Sequence, residues 1–297
     1  MTMKAISINR LSKNYGKLAA VDNINLDIRY GDFFGFIGPN GAGKTTTIKT
    51  MLNLLNPYTG HIKLLGKDIK LNQFQKDIGY VPGEASLYDN LRVKEQINYF
   101  GRFFDKLDQD YVNELKTMFL IDDRKKISEL SLGNKKKVAI VCALMNKPKL
   151  LIFDEVSNSL DPMMQKALFG ELLRLNKLGT TIFFSSHNLE EVQTYCKNIA
   201  IIREGKIIKK DNVKKIIDSN GIQITIKTKQ KLNPGFLQKH NIKHDEMGTG
   251  AITFAYKGDV DELIYYLSKY KLEYLRITDV KLENIFDEYY EGGSDES

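Results

Sequence analysis

The sequence predicts an α/β fold: a central sheet with a phosphate-binding loop at its edge, followed by a smaller α/β unit. Three observations carry this expectation. Gly38-Pro39-Asn40-Gly41-Ala42-Gly43-Lys44-Thr45-Thr46 fits G-x-x-x-x-G-K-[ST] at every fixed position, between the apolar run Phe33 to Ile37 and a helical pattern from Thr45 to Asn56. Leu150-Leu151-Ile152-Phe153 ends in Asp154-Glu155, as a fully buried parallel strand would when it delivers carboxylates to its C-terminal edge. Thr180 to Ser186 repeats that design and ends at His187.

Composition sets the bounds. A chain of 297 residues exceeds the usual single domain, so one large domain and a smaller one are expected. With 42% hydrophobic and 27% charged residues it reads as an ordinary globular chain, neither disordered nor membrane-embedded. Cys142 and Cys196 lie in apolar helical surroundings without metal-ligand spacing, which suits packing residues in a reducing compartment. Met1 to Arg10 lacks the basic-then-apolar pattern of a signal peptide, and no run approaches the roughly 18 apolar residues of a membrane span. The net charge of +7 is compatible with nucleic acid or an anionic membrane surface and selects neither.

In chain order, Ala5 to Ile8 and Ile24 to Ile28 alternate like strands with one solvated face, and they flank a polar segment, Ser12 to Lys17. Tyr15 then falls on a loop, either as a ring that stacks on a nucleotide base or as a plain surface tyrosine. The glycines of the next motif let backbone N–H groups turn inward around an anion, and the following helix adds the positive end of its dipole. Lys44 would reach the terminal phosphates and the Thr45 hydroxyl would ligate magnesium. His61 to Leu65 reads as a strand with His61 on its surface, and Ile78 to Val81 as a strand stopped by Pro82-Gly83.

From about residue 85 to 146 the pattern is helical, with stripes at Val93, Ile97, Phe100 and Phe104, then Tyr111, Leu115, Met118 and Phe119: a helical insertion in the α/β core. Within it, Leu130-Ser131-Leu132-Gly133-Asn134 precedes an amphipathic helix. Ser131 is a preferred N-cap, and the same geometry presents N–H groups and a hydroxyl to a phosphate. Lys135-Lys136-Lys137 read as a solvated helix face. At the strand ends, Asp154 would hold magnesium, Glu155 would polarise an attacking water and His187 would donate to a terminal phosphate.

Ile199 to Ile202 and Gly205 to Ile208 read as a hairpin closing a domain over 1–210. Residues 211–220 form a polar, basic helical connector. A small α/β domain over 221–290 follows, with strands at Ile222 to Thr228, Ile252 to Tyr256 and Leu272 to Ile277 and helices at Val260 to Tyr270 and Leu282 to Tyr290. His240 and His244 have helical spacing but no third ligand nearby, so no metal site is expected there. Residues 291–297 are expected to be a disordered tail.

Across roughly Ala5 to Lys210 this ordered set resembles the nucleotide-binding subunit of ATP-binding cassette (ABC) transporters. Tyr15 matches that family's adenine-stacking aromatic, Gly38 to Thr46 its Walker A, Ser131, Gly133 and Asn134 its signature, and Asp154 its Walker B. Glu155 matches its catalytic glutamate, Asp161 its D-loop and His187 its switch histidine. The resemblance implies a P-loop NTPase cassette, with a RecA-like core, an antiparallel β subdomain and a helical insertion, plus the small C-terminal α/β domain. It also implies ATP and Mg2+ as cofactors and a head-to-tail dimer, homo- or heteromeric. In that dimer, ATP held by Lys44 of one subunit is closed over by Ser131 and Gly133 of the other. A separate transmembrane permease would be the partner, placing the chain in the cytoplasm, peripheral to the inner face of the membrane; no nucleic acid is expected.

The sequence departs from the family's pattern in specific places. Leu132 and Asn134 stand where the commonest signature has glycine and glutamine, and Lys137 stands where arginine is usual. Gly83 replaces a glutamine that contacts metal and water, and Glu84 is the neighbour placed to substitute for it. The segment Tyr80 to Leu91 and the C-terminal ending Lys281 to Phe286 resemble the branch that exports drugs, antibiotics or peptides. The alternatives are an importer ATPase with a regulatory C-terminal domain and a non-transport cassette acting on ribosomes or DNA.

Overall fold

The structure, a computed structural model, describes residues 3–71, 75–240, 242, 244–246 and 251–291. It divides into two compact units, Met1–Lys210 and Asp211–Ser297.

The first unit opens with two long strands, β1 (Lys4–Tyr15) and β2 (Leu18–Arg29), then β3 (Phe33–Ile37), α1 (Lys44–Met51), β4 (Thr59–Leu64), β5 (Lys67–Asp68) and β6 (Ile78–Val81). Helices α2 (Val93–Gly101), α3 (Gln109–Met118) and α4 (Leu132–Leu144) follow. The chain then alternates through β7 (Leu150–Asp154), α5 (Pro162–Lys177), β8 (Thr181–Ser186) and α6 (Leu189–Tyr195), and closes with β9 (Asn198–Arg203) and β10 (Lys206–Asn212).

These strands build two sheets, ordered β2-β1-β4-β5 and β10-β9-β3-β8-β7-β6. The first is antiparallel, with Ile6 opposite Ile28 and Ile8 opposite Leu26. In the second, β3 pairs in parallel with β8 and β9, and β7 with β6 and β8. Every residue of β3, β7 and β8 is buried, which is why they read as unbroken apolar runs rather than as alternation. One core joins the sheets: Ile6, Leu26, Phe34, Ile48, Ile152 and Phe183 belong to it. The Phe34 and Phe183 rings stack with centroids 6.2 Å apart.

Two local expectations are corrected. The Ser12–Lys17 segment is not a loop: β1 runs through to Tyr15 and turns at Gly16-Lys17. Its inward period simply continues through a polar residue. Lys13 is 4% exposed, and its ammonium donates to the Pro57 carbonyl at 2.8 Å. Helix α1 ends at Met51 and leaves Leu55 outside, because Asn53 takes a left-handed φ of 59° that asparagine tolerates at a helix end.

The second unit starts with α7 (Val213–Ser219) and continues with β11 (Ile222–Thr228), α8 (Pro234–Lys239), β12 (His244–Glu246), β13 (Ala251–Tyr256), α9 (Val260–Leu267), β14 (Leu272–Asp279) and α10 (Leu282–Glu291). Residues 211–220 therefore carry a helix with Val213 and Ile216 buried, and they group with this unit. The sheet order is β12-β13-β11-β14, all antiparallel, over a core of Ile224, Ile226, Phe254, Tyr256, Leu263 and Leu267. Helix α8 is six residues long, opening with Asn233 as N-cap and Pro234 at its first position, and strand β12 is wholly polar, so neither carries an apolar period.

His240 follows the end of α8 and His244 lies in β12, so the two do not share a helix. Among the described residues no group of His, Cys, Asp or Glu is arranged to hold a metal. Glu291 ends α10 instead of opening a tail, and 292–297 lie outside the described residues. No described helix is long and apolar enough to cross a membrane.

Candidate active site

Strand order and register build the site. Ile37, the last residue of β3, pairs with Ser186, and Asp154, the last of β7, pairs with Ser185. The carboxyl ends of three adjacent parallel strands therefore open at one edge, where such sheets bind ligands.

The glycine-rich loop leaves β3 there and enters α1. Gly41 and Gly43 have φ of 81° and 105°, and Gly43 is the N-cap of α1. A Cβ on Gly38 would lie 2.3 Å from the Ile202 carbonyl oxygen, and one on Gly43 2.5 Å from that of Ala20. The loop is thus packed against the ends of β2 and β9, and it is held by the Gly205 N–H donating to the Ala42 carbonyl at 3.0 Å. Pro39, Asn40 and Gly41 are exposed on its outer side, Ala42 is buried, and Thr45 and Thr46 stand in the first turn of α1, the former exposed.

Lys44 is 4% exposed. It donates to the carbonyls of Gly38 at 2.7 Å and Pro39 at 3.0 Å, and lies 3.0 Å from Glu155 Oε1. The other oxygen of Glu155 faces His187 Nδ1 at 3.4 Å and accepts from Asn158 Nδ2 at 3.3 Å. Glu155 itself sits at φ 51°, a conformation costly for a non-glycine residue and concentrated at functional sites. Asp154 is 1% exposed and accepts from Ser185 Oγ at 2.9 Å, which orients it. A buried carboxylate and the hydroxyl of Thr45 are hard oxygen donors of the kind Mg2+ takes. Lys44, Asp154, Glu155 and His187 are thus brought together.

Other candidates sit apart from this cluster. Tyr15 is 48% exposed at the end of β1, with Lys13 Nζ 5.2 Å from its ring centroid. Ser131 is the N-cap of α4, its hydroxyl accepting from the Asn134 N–H at 3.4 Å, and no described contact joins Ser131, Gly133 or Asn134 to Lys44 or Glu155. A Cβ on Gly133 would lie 2.7 Å from the Ser159 carbonyl oxygen, so this glycine is needed for close packing as well as for any anion. Asp161 caps α5 ahead of Pro162, accepting from the Met164 N–H at 3.0 Å. Gly83 lies against Asp154, with its own Cβ position 3.5 Å from the Asp154 carbonyl, and Glu84 beside it is exposed.

Several residues escaped the sequence reading. Ser185 and Asn158 orient the two acids. Lys136 is not on a solvated face: it is 2% exposed and donates to the Pro82 carbonyl at 2.8 Å and to that of Gly83. Its spacing to buried Ile140 and Leu144, four and eight residues on, is the signal that marks it as inward. Glu191, 9% exposed, accepts from Ser157 Oγ at 2.8 Å and Ser186 Oγ at 3.4 Å, bridging the turn before α5 to the residue beside His187.

Burial pushes the Glu191 carboxyl above its ordinary 4.5, against the hydrogen bonds from Ser157 and Ser186 and the charge of His187. A carboxyl raised in the fold stabilises it while protonated; that contribution is complete below 4.5 and is lost as pH rises through the folded value. Glu191→Gln is therefore expected to gain stability relative to the wild type as pH rises above 4.5, read as the difference in urea midpoints. A pH-independent difference would refute this. Burial also pushes the thiol of Cys142 up to about 12 and raises that of Cys196, so both free cysteines are inert packing groups.

A glycine loop braced at the head of a helix, facing a lysine, two acids and a histidine at the carboxyl edge of a parallel sheet, defines a P-loop nucleotide-binding protein. The chain matches the ABC transporter family model over residues 21–158. It is 34% identical over 295 residues to the Bacillus subtilis ABC transporter ATP-binding protein YhaQ, itself uncharacterised, covering 94% of this chain and 98% of that one. It is 35% identical over 218 residues to the bacitracin transport ATP-binding protein BcrA of Bacillus licheniformis, covering 71% of each. A solved ATP-binding subunit of an ABC transporter superposes with a TM-score of 0.68 at 27% identity, covering 72% of this chain and 92% of that chain. The chain belongs to the ATP-binding subunits of ABC transporters, and it is an ATPase of that family.

Proposed function

We propose that this subunit binds ATP with Mg2+ on the Gly38–Thr46 loop, dimerises on it, hydrolyses it, and thereby drives export of a peptide, antibiotic or drug through a separate membrane permease. The observation that carries the chemistry is the cluster of Lys44, Glu155 and His187 at one strand edge, with the Lys44–Glu155 distance at 3.0 Å and the Glu155–His187 distance at 3.4 Å. In this reading Lys44 exchanges its carbonyl and carboxylate partners for phosphate oxygens. Glu155, relieved of the lysine, accepts a proton from the attacking water. His187 donates to the terminal phosphate. Thr45 and Asp154 would hold Mg2+, which would neutralise charge developing on the phosphates. Tyr15 is proposed to stack on the base.

The exposed Ser131 end of α4 supports dimerisation. Ser131 is exposed and makes no described contact with the chain's own Lys44, as expected if this end closes over a nucleotide held by a second subunit. Asp161 would lie at the same interface, and dimerisation would follow mass action with ATP. Export is favoured because BcrA is a bacitracin transport subunit matched over most of its length. The subunit would then sit at the inner face of the membrane through its permease.

The test is capture of Glu155→Gln with ATP and Mg2+ from detergent-solubilised host membranes. Recovery of a second nucleotide-binding subunit and a polytopic membrane protein is expected. Recovery of ribosomes or nucleic acid would replace the transport reading with a non-transport cassette.

A further inference from the structure

Strand β6 ends at Val81 because Pro82 has no N–H to continue the ladder. The chain then passes the end of β7, since Val81 pairs with Phe153 and Gly83 lies against the Asp154 carbonyl. Carbonyls at such a strand end need partners once they are shielded from water. Here both are met by one side chain from a different layer: Lys136 Nζ, at 2.8 Å from the Pro82 oxygen and in hydrogen-bond contact with that of Gly83. Lys136 lies on α4, five residues after the N-cap Ser131.

A buried ammonium is an expensive way to fill this position. An apolar side chain on the same inward stripe, as at Ile140 and Leu144, would pack without desolvating a charge. The cation also has acidic company. Burial lowers the Lys136 pKa, while Asp154, Glu155 and Glu84 oppose that shift, so all three acids are within electrostatic reach. Position 83 is a glycine and carries no side chain at all.

We propose that Lys136 is a positioning residue for ATP hydrolysis: it ties the Pro82–Gly83 strand end to α4, holding Gly83 against Asp154 and making that strand end move with the Ser131 end of the helix. The tie runs through rigid parts. A displacement of Ser131 by the nucleotide of a second subunit is carried along α4 to Nζ and from there to the turn beside the acids. The inference rests on hydrolysis at the Lys44–Glu155 cluster.

The experiment compares Lys136→Met and Lys136→Arg in the full chain by steady-state ATP hydrolysis, thermal unfolding, and hydrogen exchange at the amides of Gly83, Glu84 and Ala85. Lys136→Met is expected to lower kcat by about 10- to 100-fold with KM for ATP within about twofold, the split of a lost positioning contact. Exchange at 83–85 is expected to rise by about tenfold while the core strands stay protected. Lys136→Arg, which keeps charge and donors, is expected to restore most of kcat.

A kcat in Lys136→Met within about twofold of wild type overturns the proposal, as does a fall in kcat with unchanged exchange at 83–85. Should Lys136→Met not accumulate as folded protein, Lys136→Gln is read by the same criteria. A wild-type chain inert toward ATP would instead overturn the hydrolysis reading, so the two failures are distinct.

Discussion

Glu155→Gln is expected to lower kcat for ATP hydrolysis by about 10²- to 10³-fold while leaving ATP binding intact. The two side chains have the same shape, and the change leaves the backbone at φ 51° no more strained than before. Lys44 still donates to two loop carbonyls, so the site does not collapse. What disappears is the only basic oxygen pair in the structure within reach of both Lys44 and His187 among the described residues. Loss of the carboxylate also removes a competitor for the lysine, so affinity for ATP is expected to stay equal or rise. Phosphate release at saturating ATP, together with a fluorescent-nucleotide titration, checks both halves. Turnover within about threefold of wild type would move the general base to another group.

Gly43→Ala is expected to abolish nucleotide binding and to destabilise the first unit by about 3 kcal/mol or more, where Gly41→Ala costs only about 1 kcal/mol. Both glycines have positive φ, at 105° and 81°. They differ in what surrounds them: a Cβ at Gly43 meets the Ala20 carbonyl oxygen at 2.5 Å, whereas nothing lies within 4 Å at Gly41. The cost at 41 is the strain of a left-handed alanine alone, and at 43 a backbone clash is added at the N-cap of α1. Because the Ala20 carbonyl is part of β2, relief can come only by moving the loop or the sheet. Urea unfolding and ATP titration of the two variants, side by side, decide the matter. Equal losses would show that the packing of Gly43 against β2 is unimportant.

The legibility of the site followed from its local encoding. A phosphate loop is a run of nearby residues whose glycines serve backbone geometry, so Gly38 to Thr46 could be read without knowing the fold. Asp154, Glu155 and His187 were legible because a doubly covered parallel strand is an apolar run, and a polar residue at its end must lie at the sheet edge. Lys136 was misread for the converse reason. Three consecutive lysines look solvated; the four-residue spacing to Ile140 and Leu144 marks Lys136 as inward, and its partners are two carbonyls more than fifty residues earlier. Tyr15 was assigned to a loop because Lys13 broke the apolar alternation, although Lys13 is itself inward and bonded to Pro57.

Residue type and near-neighbour spacing specify the chemistry: the loop, the two acids, the histidine and the N-cap serine. Which of them act as one group depends on the fold. Strand order β3-β8-β7 brings Lys44, Glu155 and His187 within ion-pair reach across a gap of more than one hundred residues, while Ser131 makes no described contact with them. It also makes Gly133 and Gly43 steric necessities and turns one lysine of a basic run inward onto the Pro82 carbonyl. The physical reason is that propensity and periodicity act over a few residues. The choice of neighbours comes from closing a shared hydrophobic core, and that is a property of the whole chain.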